Sequence, residues 1–148
     1  MIASDIRGPI YVDASALVKL YLPEPESNRI DALLRGRRDL YISDLAVTEI
    51  VSAAARKSRE RILSRSHLTR LYRAILEDIE AEAFRRVDMV PEVHRAAERL
   101  LLAVDRVPLR AADALHIALA LASGCPTLLT FDTRLADATA AAGLRPVS

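Results

Sequence analysis

Apolar positions along this chain change period repeatedly, from short continuous runs to spacings of three and four, and the changes mark out alternating strands and helices. Ile10-Tyr11-Val12 is an unbroken apolar run that Asp13 ends, and Ala14 to Tyr21 then reads as a helix closed by Pro23. Pro25 and Ser27 open a second helix whose Ile30, Leu33 and Leu34 share one face, and Gly36 ends it. Leu40 to Ser43 predicts a short strand, after which Ser43 or Asp44 can cap a third helix running through Glu49 and Ala55.

Ser66 is expected to begin a fourth helix, in which Leu68, Leu71, Tyr72, Ile75, Ile79 and Ala83 form an apolar side opposite an acidic one. Arg86 to Val90 alternates weakly and predicts a strand ended by Pro91, a residue that also suits the first turn of the next helix, with Val93, Ala96, Ala97, Leu100 and Leu101. From about Arg110 the chain is nearly apolar all round, which predicts a central, buried helix stopped by Gly124 and Pro126. Thr127 to Phe131 reads as another buried strand with Asp132 at its end. Thr133 to Ala136 starts an alanine-rich helix that reaches Ala142 and stops at Gly143, and Leu144 to Val147 suits an edge strand that tolerates Pro146. This alternation predicts a three-layer α/β/α fold around a short, mainly parallel sheet. The length, 148 residues, suits one domain over residues 1–148.

Composition narrows the function. Aromatic residues make up only 4% of the chain, which gives little surface for stacking nucleobases. Asp113 and His116 interrupt the longest apolar helix, so no membrane span is expected, and the first residues lack the apolar run of a signal peptide; a cytoplasmic protein is expected. The single cysteine, Cys125, excludes an internal disulfide and a thiolate metal cluster. A net charge of +1 leaves polyanion binding to local clusters, Arg35, Arg37 and Arg38 in one and Arg56, Lys57, Arg59, Arg61 and Arg65 in another. Such runs also serve as plain solvated faces.

The carboxylates carry the candidate chemistry. Asp13 and Asp132 stand at the ends of strands, where a helix cap explains either one taken singly. In a parallel sheet the same position borders the ligand-binding crevice. Asp113 suits the first turn of its helix, yet its apolar neighbours require it to find a cation or hydrogen-bond donors. Glu49 is not at capping-box spacing from Ser43 or Asp44, and no cation lies three or four positions away to pair with it; a metal ligand and a solvated side chain are both open readings. Together, four converging carboxylates would repel one another without a cation, and oxygen-only ligands suit magnesium or manganese.

The segments Tyr11-Val12-Asp13-Ala14-Ser15, Thr48-Glu49-Ile50, Ala112-Asp113-Ala114-Leu115-His116 and Thr130-Phe131-Asp132 resemble, in order, the motifs of PIN-domain ribonucleases, particularly VapC-type toxins of toxin-antitoxin pairs. The resemblance implies a PIN-like fold and an Mg2+ or Mn2+ centre at Asp13, Glu49, Asp113 and Asp132 that hydrolyses RNA phosphodiester bonds. It also implies a cognate VapB-type antitoxin and a homodimer. Ser15 and Thr130 match positions whose hydroxyls sit beside the acids, with local backbone bonding as the alternative. Arg110 lies one turn before Asp113, placed to meet a substrate phosphate or to pair with that carboxylate. His116 is expected to be a hydrogen-bonded structural residue in its apolar helix, and Lys19 a snorkelling one. An antitoxin groove at Leu20, Tyr21, Leu22, Ile30, Leu33 and Leu34 competes with ordinary core packing of the same residues. A haloacid-dehalogenase-type phosphatase would need an aspartate where Ser15 stands.

Overall fold

The computed structural model describes residues 6–148. Strands β1 (Ile10–Val12), β2 (Leu40–Ser43), β3 (Arg85–Val87), β4 (Thr127–Leu129) and β5 (Arg145–Val147) form one sheet in the order β3-β2-β1-β4-β5, with every pairing parallel. Helices α1 (Ala14–Leu17), α2 (Ser27–Leu34), α3 (Asp44–Arg59), α4 (Arg65–Glu80), α5 (Pro91–Ala103), α6 (Ala111–Ala122) and α7 (Thr133–Ala141) connect them.

Side-chain alternation along the strands builds two cores. Ile10, Val12, Ile42 and Leu129 face a cluster completed by α1 to α4, whereas Tyr11 and Leu128 face a second one completed by α5, α6 and α7. The result is the expected three-layer α/β/α arrangement. α6 is the buried helix that its apolarity predicted: every residue from Asp113 to Ala120 except Leu115 is buried. Gly36 and Gly143, at φ of 77° and 84°, take the left-handed conformation just beyond α2 and α7, as the stop signals required.

Several boundaries differ from the sequence expectation. α1 lasts one turn and tightens into a 3-10 turn at Val18–Leu20, because the chain must bend before Pro23. α4 starts at Arg65, since the Ser64 hydroxyl, not that of Ser66, accepts from the His67 N–H. Within it only Leu71 and Ile75 are buried; Tyr72 is exposed, and Ala83 lies beyond the helix end. β3 covers Arg85–Val87 rather than 86–90, a register set by pairing Tyr41 with Arg85. β4 ends at Leu129, two residues early, because Thr130 and Phe131 turn toward the site.

Candidate active site

The chain runs from β1 to β2 on one side, and β4 returns on the other side of β1. Beyond the carboxyl ends of β1 and β4 this reversal leaves the crevice where ligands bind in open parallel sheets.

Asp13 sits at that point. Its N–H donates to Leu129 O at 3.1 Å, and its Oδ1 accepts from the Ala16 N–H at 3.0 Å, so it caps α1 as well as ending β1. The Ser15 hydroxyl lies 2.8 and 2.9 Å from the two carboxylate oxygens, and the Thr130 hydroxyl donates to Oδ2 at 2.7 Å. Both hydroxyls also accept from the β4 exit, Ser15 from the Phe131 N–H at 2.8 Å and Thr130 from the Asp132 N–H at 3.0 Å. Asp13 is 3% exposed and forms no ion pair among the described residues. Burial pushes its carboxyl above the ordinary value, outweighing the opposite pull of His116 and of the bonds from Thr130, Ala16 and Ser15.

Asp113 and Asp132 are joined by one guanidinium. Arg134 Nε donates to Asp113 Oδ2 at 3.0 Å, and its Nη2 donates to Asp132 Oδ2 at 3.3 Å. Asp132 Oδ1 caps α7 by accepting from the N–H groups of Arg134 and Leu135. Asp113 Oδ2 also accepts from the Arg110 N–H at 3.1 Å. Arg110 therefore meets Asp113 through its backbone, while its side chain is exposed; the cation paired with Asp113 is Arg134.

Glu49 is reached from the other side of β1. His116 Nε2 hydrogen-bonds its Oε1, His116 Nδ1 lies 2.8 Å from the Tyr11 hydroxyl, and that hydroxyl lies 2.8 Å from Ser43 Oγ. With the imidazole proton assigned to Nε2, every member is satisfied: Ser43 donates to Tyr11, Tyr11 to His116 and His116 to Glu49. Burial drives the Tyr11 hydroxyl far above its ordinary pKa, and the charges of Asp13 and Glu49 add to that while the Ser43 bond opposes it. Tyr11 thus lies within electrostatic reach of both acids. His116 is the buried, bonded histidine expected, and it also touches a candidate ligand.

A cleft of about 340 Å³ opens beside this edge, lined by Ser15, Leu22, Glu24, Glu49, Ala53 and Lys57 among others. A neighbouring one of about 290 Å³ is lined by Glu49, Ser52, Ala53, Arg56 and Arg59. Arg56, Lys57 and Arg59 of the second basic cluster therefore border Glu49. The first does not: Arg37 binds Asp39 and the carbonyls of Ile6 and Gly8. A larger cleft, about 850 Å³, lies at the amino-terminal ends of β2 and β3, remote from the acids. Lys19 binds Glu24 and Pro25 O and lies 4.8 Å from the centre of the Phe131 ring. Ile30, Leu33 and Leu34 are core residues, and of the expected groove set Leu22 lines the site cleft.

As the side chains stand, no three His, Cys, Asp or Glu residues among the described ones are grouped to hold a metal ion. The donor set nevertheless fits a hard cation: Asp13 is a buried carboxylate without an ion pair, and the remaining acids offer oxygen only. Two features escaped the sequence reading. The partnership of His116 with Glu49 spans 67 positions, and Arg134 pairs across 21. Arg134 did leave a signal, because a cation in the first turn of a helix opposes the helix dipole.

The model of the PIN-domain family matches residues 10–141. Ribonuclease VapC45 of Mycobacterium tuberculosis is 39% identical over 138 residues, covering 92% of each chain. Ribonuclease VapC46 of the same species is 31% identical over 149 residues, covering 94% of this chain and 96% of that one. The crystal structure of Mycobacterium tuberculosis VapC20, a sarcin-ricin loop cleaving toxin, superposes with a TM-score of 0.69 at 18% identity, covering 91% of this chain and 95% of that one.

Proposed function

Because this chain belongs to the PIN-domain family, we propose that it is a metal-dependent endoribonuclease of the VapC toxin type, silenced by a cognate VapB-type antitoxin. The observation that carries the reading is Asp13, a desolvated carboxylate with no ion pair among the described residues at the β1/β4 crevice, linked through Thr130 to Asp132 and lying within electrostatic reach of His116, the partner of Glu49. Two curated relatives named ribonucleases match it over most of their length.

Asp13, Glu49, Asp113 and Asp132 would hold Mg2+, with Mn2+ as a substitute. When bound, the cation supplies Lewis-acid stabilisation of the charge that grows on the phosphoryl oxygens. The protein's own part is preorganisation. Ser15 and Thr130 hold both oxygens of Asp13, and His116 aims Glu49 from below, so these ligands are set before substrate arrives. Arg56 and Arg59, on the rim next to Glu49, offer the RNA backbone a positive path that carries affinity without reading sequence. A VapB-type peptide would bury the same cleft, and a pair of these chains would form the working unit.

The test is cleavage of a defined tRNA and rRNA panel by antitoxin-free protein in magnesium, manganese or chelator, beside Asp13→Asn and Asp113→Asn. Cleavage that needs the ion and disappears in both variants is expected. Equal cleavage by all three proteins would identify a contaminating nuclease and overturn the reading.

A further inference from the structure

Arg134 is an anomaly by local rules. It occupies the first turn of α7, where the helix dipole disfavours a cation, and its side chain is only 28% exposed. A residue that breaks a local rule without local gain marks a site where something else is stabilised. Here the gain is tertiary: its guanidinium spans two carboxylates from different helices, Asp113 on α6 and Asp132 at the cap of α7.

The atoms matter. The guanidinium takes Oδ2 of both acids. The other oxygen of Asp132, Oδ1, accepts the two N–H groups that start α7 and is committed to the helix. A cation that reaches Asp132 without unwinding α7 therefore approaches the oxygen that Arg134 holds, where its charge and the guanidinium repel each other. Asp113, with 8% of its side chain exposed, needs a positive partner at all times. One guanidinium serves that need while the metal is away.

We propose that Arg134 is the resident counter-ion of the acidic site: it bridges Asp113 and Asp132 in the metal-free protein and is displaced from them when the divalent ion binds. This rests on the metal-dependent reading above. The exchange keeps the buried Asp113 and the partly exposed Asp132 compensated in both states, and it makes metal affinity weaker than the four acids alone would give, because each binding event breaks two charge-assisted hydrogen bonds. Metal is then retained best when substrate phosphate adds ligands of its own.

Binding of Mn2+ to the full-length, antitoxin-free protein, followed by calorimetry and by the signal of free Mn2+ in electron paramagnetic resonance, tests the exchange without any assay of cleavage. Arg134→Gln is expected to bind Mn2+ about tenfold more tightly than the wild type, or tighter still, because the two charge-assisted bonds of Arg134 are no longer broken on binding. In chelator the same variant should melt below the wild type, and saturating Mg2+ should close that gap. The second measurement needs no variant: the Arg134 Nε–Hε proton of the wild type, deshielded by its hydrogen bond to Asp113 in chelator, should move to the position of a solvated guanidinium on saturation with Mg2+. Equal Mn2+ affinity of the two proteins, or an Arg134 resonance unmoved at saturation, would overturn the exchange and leave the metal reading standing. Absence of Mn2+ binding in both proteins would overturn the metal reading itself and the exchange with it.

Discussion

His116 Nε2 and Glu49 Oε1 are hydrogen-bonded although the residues lie 67 positions apart, and the same imidazole is held from behind by the Tyr11 hydroxyl. The half-exposed acid is thus aimed by a histidine that is 3% exposed and a tyrosine that is fully buried. His116→Ala should release Glu49 and leave the Tyr11 hydroxyl without one partner, costing about 1–3 kcal/mol of stability. The magnesium dose-response of RNA cleavage should shift to higher concentration. His116→Gln, whose amide can still donate toward Glu49, should recover part of that shift. A dose-response unchanged in His116→Ala, measured where the variant is folded, would remove His116 from the positioning of Glu49.

Asp13→Asn separates catalysis from folding. The carboxylate is desolvated and has no ion pair among the described residues, so neutralising it removes an electrostatic cost while the side-chain oxygen can still cap α1. The variant is expected to be at least as stable as the wild type in chelator, by urea unfolding, and to cleave RNA roughly 10³-fold more slowly, as the loss of several kcal/mol of metal-centred stabilisation requires. A variant that unfolds more easily in chelator would show Asp13 to be a structural acid.

Ser15 and Thr130 act as one unit. Each hydroxyl donates to Asp13, each accepts a backbone N–H from the segment leaving β4, and they lie 3.2 Å from one another. Ser15→Ala and Thr130→Val should each destabilise by about 1–3 kcal/mol, because each strands a backbone N–H beside a buried carboxylate. The double variant should cost less than the sum, with a coupling energy of about 0.5 kcal/mol or more. Strict additivity in a urea double-mutant cycle would mean that the two hydroxyls support Asp13 independently.

What could be read from the chain was what is local. An apolar triplet ended by Asp13 shows a strand and its carboxyl edge, and a stretch as apolar as Ala114 to Ala120 shows a helix buried over nearly its whole circumference. Boundaries shifted where two equivalent signals stood close together: Ser64 and Ser66 are both competent caps, and geometry chose the first. Capping, set against a site role for Asp13 and Asp132 in the sequence, does not exclude one, since each cap is made by Oδ1 and leaves Oδ2 facing other partners. The partner of Asp113 was out of reach for another reason. Arg110 is near in sequence, but the first turn of α7 brings Arg134 nearer in space, and only the packing of α6 against α7 determines that.

Glu24 gives the site wall a pH dependence. Its Oε1 accepts from Lys57 of α3 at 3.1 Å and its Oε2 from Lys19 at 3.2 Å, so it ties the turn before α2 to the helix that carries Glu49. Burial raises its pKa, but the bonds and charges of Lys57 and Lys19 together outweigh burial and hold it below the ordinary 4.5. A carboxylate with a depressed pKa contributes stability that is fully present above the unfolded value and is lost as pH falls through the folded one. Glu24→Gln should therefore be less stable than the wild type near neutrality, by about 1 kcal/mol for two partly exposed pairs. The difference should shrink as pH falls below 4.5 and also as salt rises. Because Glu24 and Lys57 line the cleft beside Ser15 and Glu49, removing the carboxylate leaves Lys57 unpaired there, and the variant should bind RNA at least as tightly while its turnover at saturation is kept. Urea unfolding of both proteins across the acid range checks the first expectation, and a stability difference independent of pH would show that Glu24 acts through packing, not charge.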